Sequence, residues 1–308
     1  MATAEGTEPS DGARPKVTVQ PITGADLAEV GAFLHDRFMA EQGADTIPVD
    51  VWAANLAGPW DQSSATHGVQ LRASSRLVGV YVAYYSPIRP TSVGPTRFCN
   101  LADWAVLEEY RAQGLLLVMN LLGQPGLVIT DFTARAEVAR INRRLGFTEI
   151  DAEPYLSVNL PLPSLGRNRL LTRHQDIAAA LEGDSLQVFR DHRGISGLHH
   201  LVIVAENACH VMFRRRTVPL HRLGGRRLPV ACIIHVSDRA AFARSATAVS
   251  THLLLRHRLP LTWSEVHITG IKPALSRPDS LLAAPRMYRG EGLQPDDINY
   301  LYSELVFG

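Results

Sequence analysis

Apolar and polar residues alternate through KVTVQPIT (16–23), the period of a half-buried strand. The period then lengthens. Leu27, Val30, Phe33, Leu34 and Phe38 fall on one face of GADLAEVGAFLHDRFM, which predicts a helix with Thr23 at its cap and Asp26 in its first turn. VDVWAANL predicts a shorter helix and GPWDQSSAT a loop. HGVQLRAS and RLVGVYVAYYSPI predict an antiparallel pair joined through Ser74 and Ser75. IRPTSVGPTR, dense in Pro and Gly, predicts a loop. Residues 98–147 then switch period repeatedly: a strand in FCNLADWAVL, a turn in EEYRAQG, a helix in LLLVMNLLGQ, a strand in GLVITDF and a helix in TARAEVARINRRLGF. FTEIDAEPYLSVNLPLP adds two short strands and a Pro-rich exit.

Past that exit the order begins again. LLTRHQDIAAALEG and DSLQVFRDHRG predict helices, and HHLVIVAEN with ACHVMFRRRTV a hairpin turning near Asn207 and Ala208. LPVACIIHV predicts a strand, SDRAAFARSATAVSTHLLLRHR a long helix capped by Ser237, and TWSEVHITG another strand. Both halves read helix, helix, hairpin, strand, helix, strand, with no residue-level identity between them. A duplicated fold accounts for a length of 308 residues, more than one core ordinarily serves. LPLPSLGRN (160–168), with Pro161, Pro163 and Gly166, marks the boundary. The expected division is a polar disordered tail over 1–15 without the apolar region of a signal peptide, a first domain over 16–163 and a second over 164–308. The segment from Lys272 is rich in Pro, Arg and Ser. It closes with a helix begun by Asp296 and Asp297 after Pro295, and with an apolar, aromatic end expected to pack on the body.

Composition narrows the partners. A formal net charge of +1 supplies no global field for nucleic acid or membrane, and no apolar run reaches the length of a membrane span. Cys99, Cys209 and Cys232 lie far apart in apolar runs without metal-ligand spacing, which points to buried thiols in a reduced, cytoplasmic setting. The twelve histidines show no tight ligand spacing, so no metal is expected. His192, in RDHRG, is expected to face the interface between the halves in a structural role. Arg214, Arg215, Arg216, Arg222, Arg226 and Arg227 form the one local basic cluster, either a solvated hairpin face or a site for an acidic partner.

The chemistry concentrates where the first long strand ends. Arg111, Ala112, Gln113 and Gly114 fall at the start of an apolar helix, where free N–H groups and a residue without Cβ make an anion site. The alternative is a plain strand–helix turn. Asn100 and Asp103 lie on the strand before this turn, and Asp131 on the strand after the helix. Alternation puts Asn100, Ala102, Trp104 and Val106 on one face and Asp103 on the other. Asp103, ionisable inside an apolar run, points to a raised pKa and a chemical role; pairing with an arginine or capping of backbone groups is the alternative. Asp131 has the N-cap of the following helix as its alternative.

Two stretches resemble the GNAT acetyltransferase superfamily over roughly residues 16–160. One is RAQGLL, with Val106 five residues ahead of Arg111; the other is INRRLGF, with Leu145, Gly146 and Phe147. The resemblance implies an α/β fold of the α+β type: tandem GNAT-like domains, each a mixed, mostly antiparallel sheet flanked by helices. It implies an acyl-CoA co-substrate, most simply acetyl-CoA. Ala105 and Val106 would meet the pantetheine arm, Val106 through its backbone, and Arg111, Ala112, Gln113, Gly114, Leu115 and Leu116 would hold the pyrophosphate. Asn142 stands where members often carry a Tyr that acts as general acid, and Leu116 replaces the motif's last small residue. The second half, in which IIHV runs into SDRAAF without a Gly turn, would be a degenerate copy shaping the acceptor cleft. The implied function is acyl transfer to an amine or hydroxyl of a small molecule, with Asp103, Asn100 or Asp131 positioning the acceptor or a water. Two alternatives stand beside it. One is a transferase drawing on aminoacyl-tRNA or an acyl-carrier protein docked through the cluster from Arg214 to Arg227; the other is a non-catalytic binding protein. Acceptor choice is expected to lie in residues 86–97 and the cleft between the halves.

Overall fold

The computed structural model describes residues 16–42, 47–60, 66–163, 169–204, 207–220, 226–279 and 284–307. Its first half runs β1 (Val17–Pro21), α1 (Leu27–Gln42), α2 (Val49–Ala57), β2 (Gly68–Ala73), β3 (Arg76–Tyr85), β4 (Arg89–Thr91), β5 (Gly94–Val106), α3 (Gly114–Leu122), β6 (Leu127–Asp131), α4 (Ala136–Arg144), β7 (Thr148–Ile150) and β8 (Pro154–Val158). Its second half runs β9 (Arg169–Leu171), α5 (His174–Ala180), α6 (Gly183–His192), β10 (Leu198–Val204), β11 (Cys209–Leu220), β12 (Arg226–Val236), α7 (Arg239–His257), β13 (Leu261–Glu265), α8 (Val266–Thr269), β14 (Ser276–Pro278) and β15 (Arg286–Arg289). β3 is buried at every position after Arg76, as a central strand of Val, Tyr and Ala covered on both faces must be. Thr23 and Asp26 close a capping box just ahead of α1, with the Thr23 N–H donating to Asp26 Oδ2 at 2.8 Å.

The two sheets follow one plan. The first has the order β1-β2-β3-β5-β6-β15-β7, with β4 paired to β5; the second, read from its far edge, has the order β9-β10-β11-β12-β13-β8-β14. Each holds one parallel pair at the same place, β5 with β6 and β12 with β13. The sixth strand in each order comes from the other half: β15 pairs antiparallel with β6 and β7, and β8 pairs antiparallel with β13 and β14. The chain therefore does not divide at residue 164, because each half closes its sheet with the other's strand. The cause is local. Glu153 adopts a left-handed φ of 45°, and the carbonyls of Ala152 and Glu153 accept from His267 and Val266 at the start of α8. That holds the chain against the second half, so β8 does not fold back on β7. Residues 1–15 and 164–168, the expected tail and most of the expected linker, lie outside the described residues.

Four further expectations are corrected. IRPTSVGPTR is not a loop: Arg89↔Thr96, Pro90↔Pro95 and Thr91↔Gly94 pair as a tight hairpin, turned by Gly94 at φ 109°. The cap of α7 is Asp238, which accepts from the Ala241 N–H at 2.9 Å, while Ser237 accepts from the His210 N–H. TWSEVHITG stops being strand at Glu265, and Pro295–Asp297 is a single 3-10 turn rather than a longer helix. The chain's end packs as expected, with Tyr300, Leu305 and Val306 buried. One apolar cluster runs without a seam from Val30, Leu34 and Trp52 of the first half to Phe213, Val230 and Ile233 of the second. His192 lies within it, stacked on Trp60 at 5.5 Å and 4.7 Å from the Tyr302 ring. Cys99, Cys209 and Cys232 are free and buried.

Candidate functional site

The first sheet opens along β5. Its pairing with β6 ends at Leu101↔Asp131, and residues 102–106 continue with no strand on that side among the described residues. On the other side Tyr81 faces Trp104 and Ala83 faces Leu101, so Val82 alone opposes Ala102 and Asp103. That β-bulge breaks the alternation expected from the sequence. Ala102 and Ala105 join the core under α1 and α2, while Trp104 and Val106 pack on the opposite face; Trp104 stacks on Tyr81 at 5.2 Å and 10°. Asn100 and Trp104 thus leave the strand on different faces.

The opening leads into a cavity of about 950 Å³. Its walls are β5 residues 102–106, the segment 133–135 that leads into α4, Phe38 and Trp52 of α1 and α2, and Glu304, Leu305 and Phe307 at the end of the chain. Four carboxyl groups line it, those of Asp103, Asp131, Glu137 and Glu304. Burial pushes Asp103 up to about 7, with Arg135 pulling against it. Burial also pushes Asp131 up to about 6, opposed by a hydrogen bond from Asn142 Nδ2 at 2.8 Å and by the Thr133 and Ala134 amides. Glu304 is raised to about 7 by burial first and by the charge of Asp131 second. Glu304 Oε1 accepts from Thr133 Oγ1 at 2.9 Å, and Oε2 accepts from Asn100 Nδ2. Thr130 Oγ1 donates to Asn100 Oδ1 at 3.0 Å, which fixes the amide with its NH₂ toward Glu304.

Of the residues singled out in the sequence, Asp103, Asp131, Ala105, Val106, Arg111 and Leu115 line this cavity. Asn100 stands behind it through Glu304, and Asn142 is buried as the donor that orients Asp131. Ala112, Gln113, Gly114 and Leu116 do not line it. Residues Glu108–Gln113 wind as a 3-10 helix that runs straight into α3, with Tyr110 N–H donating to Leu107 and Gly114 N–H to Arg111. The RAQG amides are therefore turned along the helix instead of fanned open, and Glu108 and Glu109 occupy the first turn, where an anion would be repelled. Gly114 is small for a packing reason: a Cβ there would sit 3.3 Å from both Trp104 Cζ2 and Val106 Cγ2. Leu116 points outward, 47% exposed.

Glu304 is the buried cavity-lining carboxyl that sequence reasoning missed. A lone acid within the aromatic terminal run YLYSELVFG was its only local signal. The arginine cluster is not one surface. Arg214 spends its guanidinium on the carbonyls of Ser196 and Val306, Arg216 lines the cavity, and Arg215 faces solvent. Arg222 lies outside the described residues. Among the described residues no group of three or more His, Cys, Asp or Glu is arranged to hold a metal ion, and no helix is long and apolar enough to cross a membrane.

No protein-family profile matches the chain, and no curated protein sequence does. Solved structures do. The fold is similar to that of solved GCN5-related N-acetyltransferases, and the chain has the GNAT fold. A GCN5-related N-acetyltransferase from Kribbella flavida is 14% identical, with a TM-score of 0.57 over 91% of this chain and 72% of that one. One from Anabaena variabilis is 11% identical, with a TM-score of 0.56 over 89% and 72%. Saccharomyces cerevisiae N-myristoyltransferase, solved with bound myristoyl-CoA and inhibitors, is 10% identical, with a TM-score of 0.55 over 96% of this chain and 86% of that one.

Proposed function

We propose that this protein transfers an acyl group from a coenzyme A thioester to an amine. The observation that carries the reading is the run of β5, residues 102–106, left without a partner strand on its β6 side, lying beside the high-pKa carboxyl of Asp103 in the cleft. An open strand edge offers backbone N–H and C=O groups to an extended amide-bearing arm, as pantetheine is. An acyl-CoA donor also agrees with the likeness to a myristoyltransferase solved with myristoyl-CoA bound. Thioesters are already activated, so the protein's task is to hold the two reactants together and to move protons. The amine nitrogen attacks the thioester carbonyl, the C–N bond forms, and the C–S bond breaks. Asp103 takes the proton that the nitrogen sheds as it bonds. A carboxyl with a midpoint near 7 accepts that proton readily at neutral pH and returns it to water. The departing thiolate is protonated from solvent, because Asn142 is committed to Asp131 and has no proton to give.

A second reading is favoured by one observation. With the RAQG amides wound inward behind Glu108 and Glu109, the pyrophosphate cradle is weak, which suits a donor whose acyl group arrives on a carrier protein or tRNA. Calorimetric titration with acetyl-CoA and with myristoyl-CoA separates the two. Binding of at least one, weakened in Arg111→Glu, is the expected result. No heat with either at millimolar concentration sinks the coenzyme A reading. Salt-sensitive retention on a carrier protein or tRNA then supports the second.

A further inference from the structure

We infer that Arg37 and Arg216, one from each half of the chain, receive an anionic group on the acceptor, a carboxylate or a phosphate, and that the body of the acceptor is aromatic. The inference rests on the acyl-transfer reading above and adds to it two specificity-determining residues and a substrate class. Position is the first support. Arg216 is the member of the run Arg214–Arg216 of β11 that lines the first half's cleft. The period of the strand puts Arg214 and Arg216 on one face. Arg214 donates to the Val306 carbonyl, so Arg216 stands at the end of the cleft that Phe307 closes. Burial first, and the charge of Arg216 second, hold Arg214 down to about 10, as two neighbouring guanidinium groups require. Arg37 enters from α1 one residue ahead of Phe38, which stacks on Trp52 at 5.8 Å.

The second support is what these side chains lack. Both are half-buried, and among the described residues neither has an ion pair or a hydrogen bond. The residue across from Arg216 on β12 is Val230, which carries no charge. The cleft's acids are engaged elsewhere: Glu304 accepts from Thr133 and Asn100, and Asp131 from Asn142. Burial holds Asp103 and Glu304 to about 7, so near neutral pH they repel an anion only in part. A guanidinium drawn out of bulk water without a counter-charge is expensive. A carboxylate or phosphate relieves that cost, because its oxygens match the planar fork of Arg with two parallel N–H···O bonds. The third support is the wall beside the two arginines. The stacked Phe38–Trp52 pair and the Tyr84–Phe307 pair, 5.3 Å between centroids, both line the cleft. Flat apolar surfaces of this kind suit an aromatic ring, which packs on them by stacking or edge to face.

The test is calorimetric titration of the full chain with two matched pairs of amines. L-phenylalanine differs from 2-phenylethylamine only by a carboxylate, and O-phosphotyramine differs from tyramine only by a phosphate. The anionic member of at least one pair is expected to bind roughly tenfold tighter than its partner. A preference in the first pair assigns the anion as a carboxylate, and one in the second as a phosphate. Arg216→Gln and Arg37→Gln are each expected to remove most of that preference, while Arg215→Gln, at the solvent-facing position next to Arg216, keeps it. Should Arg216→Gln not fold, Arg216→Lys, which keeps the charge and loses the fork, is expected to weaken the preference. Anionic amines that bind no better than their partners, or do not bind at all, overturn the inference. So does a preference that survives in both Arg216→Gln and Arg37→Gln. Failure of the parent protein to bind any acyl-CoA overturns the transfer reading instead, and leaves the matched pairs to be judged by themselves.

Discussion

Asp103, Asp131 and Glu304 keep their protons to higher pH than free carboxyls because the cleft wall withholds water from the charged form. For Asp103 the unfolded chain ionises near 3.8 and the folded one near 7, so between those values the folded state holds a proton the unfolded state has lost. Stability from this residue therefore falls as pH rises through that window. The buried histidines act in the opposite sense. Burial holds His200 and His235 down to about 3 and His192 to about 4, so below pH 6.5 the unfolded chain takes up protons that the folded one refuses. Their contribution is lost as pH falls. Asp103→Asn removes one alkaline-side cost and leaves the acid side untouched. Its stabilising effect is expected to be about 2 kcal/mol larger near pH 8 than near pH 5, read by urea denaturation at both. An equal effect at the two pH values would mean that the residue acts by packing rather than through its proton. Asp103 and Asp131 were legible in the sequence because each interrupts an apolar run. Glu304 was not, since what makes it unusual is Asn100, 204 positions away.

Elements were legible wherever the side-chain period was strong, as in β3, α1 and the β10–β11 hairpin. They were obscured where a single position overrides the period. The bulge opposite Val82 moves Trp104 to the face that alternation assigns to Asp103, and nothing in FCNLADWAVL marks it. Its counterpart in β12, where the register shifts between Met212 and Phe213, lies at the equivalent place in the other sheet. The β4–β5 hairpin hid behind its prolines. Pro90 and Pro95 face each other, the one pairing that needs an N–H from neither strand. At the start of α7 two candidate caps stand side by side, and the side chain that reaches Ala241 N–H belongs to Asp238. Asp238→Ala is expected to cost about 1 kcal/mol and to abolish amide-exchange protection in the first turn of α7. Retained protection of Ala241 would assign the cap to Ser237 after all.

At the scale of the whole molecule the reciprocal strand exchange makes the halves interdependent, and one buried pair sits where the exchange is tightest. Arg286 begins β15 in the first sheet and Glu265 ends β13 in the second; their side chains meet at 2.7 Å, 3% and 1% exposed. Arg286 also donates to the Phe132 carbonyl just past β6, and Tyr300 donates to the other oxygen of Glu265. This one guanidinium therefore ties the end of the cleft strand β6 to the core of the other half. Removing it by Arg286→Ala strands the Glu265 charge in an apolar interior, a change that costs about 3–5 kcal/mol. If the exchange welds the halves into one folding unit, that loss is shared. Exchange protection measured by mass spectrometry on β6 and on β13 should fall by the same free energy, in one cooperative opening. Were β13 to lose protection while β6 kept it, the exchanged strands would be a covering and not a coupling, and the first half's cleft would stand without the second.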